Sequence, residues 1–229
     1  MRALLLLLVS CSFPLFAASA KSVKSEFSLV EMPVSQQSSA PMVVFLSGDG
    51  GWAALDSGLS AQLVKHGLPV VGWSSLRYYW KKKTPEQTTT DLIKILADYQ
   101  ERWGRKSWML IGFSFGGDIV PFVINRLPEE YRKSLVSAVM LSPSTSSDFE
   151  IHVSNIVASD TKGAYPSTPE AKAILDIPML CIQGAEDDSP VRLCPELTQS
   201  NVTTVTLPGG HHFEDNYPVL YQVIADHLF

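Results

Sequence analysis

Short apolar runs recur along this chain. Between them lie longer stretches in which apolar residues return every three or four positions. The runs have the length and β-branched content of buried strands, and the longer stretches have the period of helices. The strand candidates are "MVVFLSG" at 42–48, "LPVVGWSS" at 68–75, "SWMLIGF" at 107–113, "LVSAVMLSPS" at 135–144, "IPMLCIQG" at 177–184 and "VTTVTLPGG" at 202–210. "EFSLVEM" at 26–32 alternates more and reads as an edge strand. Helices are expected over 53–66, from Thr84 to about Gly104, over 115–127, as a short piece at 191–199, and over 218–229. The second has the clearest signals. Thr84 caps, Pro85 fits the first turn and Gln87 completes a capping box. Leu92, Ile95, Leu96 and Tyr99 share one face, and Gly104 stops the helix. Pro121 interrupts the third and is expected to kink it.

Strands that alternate with helices predict a mostly parallel central sheet with helices on both faces. Residues 145–175 break the rhythm with Ser, Thr and Asp and suggest a small irregular cap. No repeat or long linker divides the chain, so residues 21–229 read as one domain.

The first twenty residues follow a different logic. "MRALLLLLVSCSFPLFAASA" has one early arginine, a leucine-rich run and a small-x-small end at Ala18-Ser19-Ala20. This is the layout of a cleaved secretory signal, and it predicts a periplasmic protein. The run is short for a membrane span and contains Pro14. Leu8 to Cys11 also matches a lipobox, so lipid attachment at Cys11 is a second reading. Loss of Arg2 leaves 17 of the 18 Lys and Arg against 23 Asp and Glu, a net charge of −6. That balance argues against nucleic acid as a partner. Cys181 and Cys194 remain after cleavage, and an exported chain with two cysteines is expected to bridge them.

In a parallel sheet, reactive side chains belong in loops at the carboxyl ends of strands. Gly112-Phe113-Ser114-Phe115-Gly116 lies at such an end, with a strand before it and a helix after it. A serine on a tight strand-to-helix turn projects above the sheet, and glycines two before and two after let strand and helix approach. A serine nucleophile needs a base, and the base needs an orienting acid. In this context they follow in the order Ser, acid, His. "CIQGAEDDSP" supplies Asp187, with Asp188 as the alternative. "LPGGHHFED" supplies His212, with His211 as the alternative for a turn one residue shorter. A metal reading of His211, His212, Glu214 and Asp215 is disfavoured, since adjacent side chains rarely converge on one ion.

A tetrahedral intermediate needs backbone donors. The Phe115 amide is one candidate. The Asp49 amide in the turn "SGDGGW" is the other. That turn is not a phosphate loop, because no Gly-Lys-Ser/Thr follows it. "RYYWKKK" at 77–83 follows a strand and so borders the same mouth. Tyr78, Tyr79 and Trp80 beside three lysines suit an anionic bilayer surface and make these aromatics candidate substrate contacts. Asp118 lies one helical turn after Ser114, on the same face. With Asp49 it is a candidate for receiving a cationic substrate group, or else it satisfies the helix start.

These segments resemble the α/β-hydrolase superfamily and, more narrowly, the VirJ/AcvB family of bacterial virulence proteins. The resemblance is carried by "FLSGDGGW" at 45–52, "LRYYWKKKTPEQTTTDL" at 76–92, "LIGFSFGGDIVP" at 110–121, "CIQGAEDDS" at 181–189 and "LPGGHHF" at 207–213. Asp118 fits the family pattern, while Gly117 stands where alanine is expected. The resemblance implies a periplasmic serine hydrolase with no cofactor that removes lysine or alanine from aminoacyl-phosphatidylglycerol. In some members it also implies a link to type IV secretion. A general esterase or thioesterase and a non-catalytic accessory of a secretion system are the competing expectations.

Overall fold

A computed structural model of the chain describes residues 22–35, 39–151 and 163–228. The expected signal at 1–20 and Cys11 lie outside the described residues. In chain order the elements are α1 (Val23–Phe27), β1 (Leu29–Met32), β2 (Met42–Leu46), α2 (Ala54–Lys65), β3 (Val70–Trp73), α3 (Ser75–Tyr78) and α4 (Pro85–Trp103). There follow β4 (Trp108–Phe113), α5 (Phe115–Asn125), α6 (Glu129–Ser134), β5 (Leu135–Leu141), β6 (Ser146–Ser147), β7 (Tyr165–Pro166) and α7 (Ser167–Lys172). The chain ends with β8 (Met179–Gly184), β9 (Val202–Leu207) and α8 (Tyr217–Leu228).

The sheet has seven strands in the order β1-β3-β2-β4-β5-β8-β9. Only β1 runs antiparallel, against β3. The remaining pairs are parallel. β2 and β4 are buried along their whole length because helices cover both faces. Successive side chains of β2 therefore enter different cores. Val44 and Leu46 pack with α4 and α5, whereas Val43 and Phe45 pack with Leu55, Leu59 and Leu63 of α2 and with Leu220 and Ile224 of α8.

The expected helix starts are realised in atomic detail. The Gln87 amide donates to Thr84 Oγ1 at 3.2 Å, and the Thr84 amide donates to Gln87 Oε1 at 3.0 Å. Gly104 ends α4 at φ 63°. Pro121 lies inside α5, where it has no amide to donate to the preceding turn. Two expectations are corrected. The start of "EFSLVEM" belongs to a helix, because Ser22 caps Val23–Phe27 and Ser28 turns the chain at φ 53°. The piece at 191–199 is helical only as a 3-10 turn over Cys194–Glu196. The cap region contains β6 and β7, paired antiparallel, and then α7.

Candidate active site

Ser114 sits between β4 and α5 at φ 52° and ψ −120°, a strained conformation for a residue with a side chain. Its amide donates to Leu141 O at 2.8 Å, which fastens the turn to β5. The glycines around it are required by space. A Cβ on Gly112 would lie 2.3 Å from Gly116 O, and one on Gly116 would lie 2.3 Å from Leu46 O. Strand, turn and helix therefore meet with no room for a methyl group.

The candidate acid and base come from the next loops along the sheet. Asp187 follows β8 and is buried, while Asp188 beside it is exposed. The two loops are laced together by backbone bonds from Ala185 N to Leu207 O at 2.8 Å and from Glu186 N to Gly209 O at 2.9 Å. They approach so closely that a Cβ on Gly184 would fall 2.1 Å from Gly210 O. Gly209 makes the turn at φ 92°.

The position of the candidate base corrects the sequence expectation. His211, not His212, faces the serine. Its Nε2 lies 2.9 Å from Ser114 Oγ, and its Nδ1 lies 2.9 Å from Asp187 Oδ2. The other Asp187 oxygen accepts from the Ser189 amide at 3.2 Å. The physical reason is Phe213. Its ring is buried in the core between the sheet, α2 and α8, so the loop is pinned two residues after His211. His212 is exposed, with its ring edge-on to Phe113 at 5.3 Å. Phe113 also backs the His211 ring at 5.3 Å. Glu214 and Asp215 are exposed, and no group of three metal-binding side chains occurs among the described residues.

The candidate oxyanion donors flank Ser114. Phe115 is the first residue of α5, and Asp49 lies in a turn closed from Gly51 N to Gly48 O at 3.1 Å. Among the described residues, neither the Phe115 nor the Asp49 amide is bonded to a protein acceptor. Asp118 is buried, and its Oδ1 accepts from the Ser144 amide at 2.5 Å. It thus holds the loop after β5. Burial and, to a smaller extent, nearby Asp49 raise its carboxyl well above the usual carboxylate range.

The expected aromatic contacts divide. Tyr78 and Tyr79 turn into the core and are not available to a substrate in solution. Tyr78 OH donates to Asp91 Oδ2 at 2.8 Å, and Tyr79 OH donates to Thr88 Oγ1 at 3.3 Å. The Tyr79 ring supports Phe115 from behind at 4.9 Å. Trp80 alone points outward, 57% exposed. Cys181 and Cys194 are joined by a disulfide with Cα atoms 5.5 Å apart, and the loop it closes contains Asp187.

With these positions fixed, comparison of the sequence with known families gives a match to the bacterial virulence protein VirJ over residues 40–229. The chain belongs to the VirJ family. Comparison with curated proteins gives no match. Solved structures similar to this VirJ-family chain include the enol-lactonase from Burkholderia xenovorans LB400, with a TM-score of 0.66 and 16% identity over 87% of this chain and 96% of that one. An α/β serine hydrolase homologue from Coxiella burnetii gives 0.63 and 16% over 88% and 91%. Est1E from Butyrivibrio proteoclasticus gives 0.58 and 15% over 86% and 90%. The VirJ-family chain therefore has the α/β-hydrolase fold, as its segments implied.

Proposed function

We propose that this chain is a periplasmic serine esterase that removes the amino acid from aminoacyl-phosphatidylglycerol. The observation that carries the reaction type is the hydrogen-bonded series Ser114–His211–Asp187 on a strained turn at the head of a helix. Ser114 Oγ attacks the ester carbonyl while His211 Nε2 takes its proton. Asp187 holds the imidazole through Nδ1. The Phe115 and Asp49 amides receive the developing oxyanion. Collapse breaks the bond to the glycerol oxygen, which leaves with the proton from His211. Water then attacks the aminoacyl serine, with His211 taking the water proton and returning it to Ser114. Lysine or alanine is released.

The substrate class is supported by charge. Asp118 is held above its usual range by burial and by Asp49. An ammonium group received near Asp118 would favour the ionised form of that carboxyl. Aminoacyl esters carry such a group next to the carbonyl. A neutral acyl ester does not.

The test is incubation of the purified protein with lysyl- and alanyl-phosphatidylglycerol and with a short acyl ester. Release of lysine or alanine is expected from the wild type and not from Ser114→Ala. Turnover of the short ester with neither lipid touched would replace this reading with a general esterase. No turnover of any ester would leave the accessory role in secretion.

A further inference from the structure

The segment after β3 has a property that the reaction does not use. Arg77, Lys81 and Lys82 are exposed, Lys83 is half-buried, and Trp80 stands out among them. Among the described residues, none of these four cations has a carboxylate partner within ion-pair distance, whereas Lys24, Lys94, Arg102, Arg126, Arg132, Lys133 and Lys172 all do. Lys83 Nζ lies over the Tyr78 ring at 4.6 Å. The chain as a whole is acidic, at −5. Four positive charges without an ion pair within seven residues are therefore a local concentration against the molecule's sign, with Glu26 and Asp91 lining the groove beside them.

This segment is also anchored to the turn that precedes the site. Ser75 Oγ donates to Ser47 O at 2.6 Å, and the Ser75 amide donates to Ser47 Oγ at 3.0 Å. Ser47 immediately precedes the Gly48–Gly51 turn. Tyr78 and Tyr79 anchor the segment in the core. Backbone bonds from Lys83 N to Phe149 O at 3.0 Å and from Ile151 N to Tyr79 O at 2.9 Å tie it to the cap. β3 lies two strands from β4, a lateral offset of about 10 Å. The tyrosine burial leaves one amphipathic indole ringed by cations, which is the composition that settles at a lipid headgroup layer. An acidic protein would answer the charge but would give the isolated indole no apolar layer to enter.

We propose that Arg77, Trp80, Lys81, Lys82 and Lys83 form a docking surface for an anionic bilayer, which seats the mouth of the site against the headgroups. The surface extends the lipid-esterase reading, but its test separates the two.

Purified protein is mixed with vesicles of phosphatidylcholine, with or without phosphatidylglycerol, and bound protein is measured by co-sedimentation. Binding is expected only with phosphatidylglycerol. Lys81→Glu with Lys82→Glu should weaken it by about tenfold or more while hydrolysis of a soluble ester is unchanged, which also controls for folding. The vesicle-induced change in indole fluorescence should disappear in Trp80→Phe. Equal binding to both vesicles, no binding to either, or binding indifferent to the charge reversal would overturn the docking surface. Hydrolysis of detergent-dispersed aminoacyl lipid without vesicle binding would also overturn it and spare the esterase reading. Vesicle binding that follows the charge reversal, with no lipid hydrolysis, would uphold the surface and sink the substrate.

Discussion

His211 and His212 are neighbours in sequence, yet only one faces Ser114. If His211 is the base, His211→Ala should lower the rate by about a thousandfold or more. His212→Ala, which removes a ring packed on Phe113, should stay within about tenfold. Steady-state rates of the two variants on one ester check this directly. The serine and its glycines were legible because a strand-turn-helix junction is a local pattern. The choice of histidine was not, since it depends on Phe213 reaching a core built from residues far away in the chain. The same holds for Tyr78 and Tyr79. Their outward reading assumed a loop, and the short α3 turns both rings inward.

At the level of elements, α2 begins with a buried acid. Asp56 Oδ2 accepts the Ala53 amide at 2.9 Å, while Oδ1 is buried with no hydrogen-bond partner among the described residues. Burial pushes its pKa up to about 6. A carboxyl raised in the folded state favours folding while it stays protonated. Its contribution is complete below the unfolded pKa near 4 and is lost as pH rises through about 6. The loss amounts to about 3 kcal/mol. Asp56→Asn keeps an acceptor for Ala53 and removes the titration. Urea unfolding at several pH values should show the variant gaining on the wild type by that order between acid and neutral conditions.

The disulfide makes a second element-scale prediction. It spans 13 positions and closes the loop that presents Asp187. Cys181→Ala with Cys194→Ala should cost about 3 kcal/mol of stability by loop entropy. It should also lower kcat more than it raises KM, because the acid is released rather than the substrate. The pairing was legible from the cysteine count and the expected export signal. Its position under the acid loop was not, since it depends on the 3-10 turn Cys194–Glu196 lying back against β8.

Across the whole molecule, the basic segment opposes the net charge, and that asymmetry makes ionic strength a diagnostic. Raising salt shortens the screening length from about 30 Å at 0.01 M to about 8 Å at 0.15 M. Activity on substrate in anionic vesicles should fall over that range while turnover of a soluble neutral ester changes little. The parallel strands were legible because a sheet covered on both faces forces continuous apolar runs such as Met42–Leu46 and Trp108–Phe113. The first strand was less so, since an antiparallel edge imposes weaker burial and Ser28 could redirect the chain into α1.

Ser142 has a wider consequence. The nucleophile turn is fastened to β5 by Ser114 N to Leu141 O, while the acid and base loops are laced to each other beyond β8. Ser142 bridges these two pieces. Its amide donates to Ile182 O at 2.7 Å, and its hydroxyl donates to His211 O at 3.2 Å, with φ at 46°. The candidate site is thus assembled from two hydrogen-bonded pieces, aligned across a seam between the adjacent strands β5 and β8. A slip of about 1 Å along that seam would separate proton donor from acceptor and cost on the order of a hundredfold in rate, with every reactive side chain still intact. Mechanical tolerance at Ser142, as much as the side chain at Ser114, then sets how easily the proposed activity is lost.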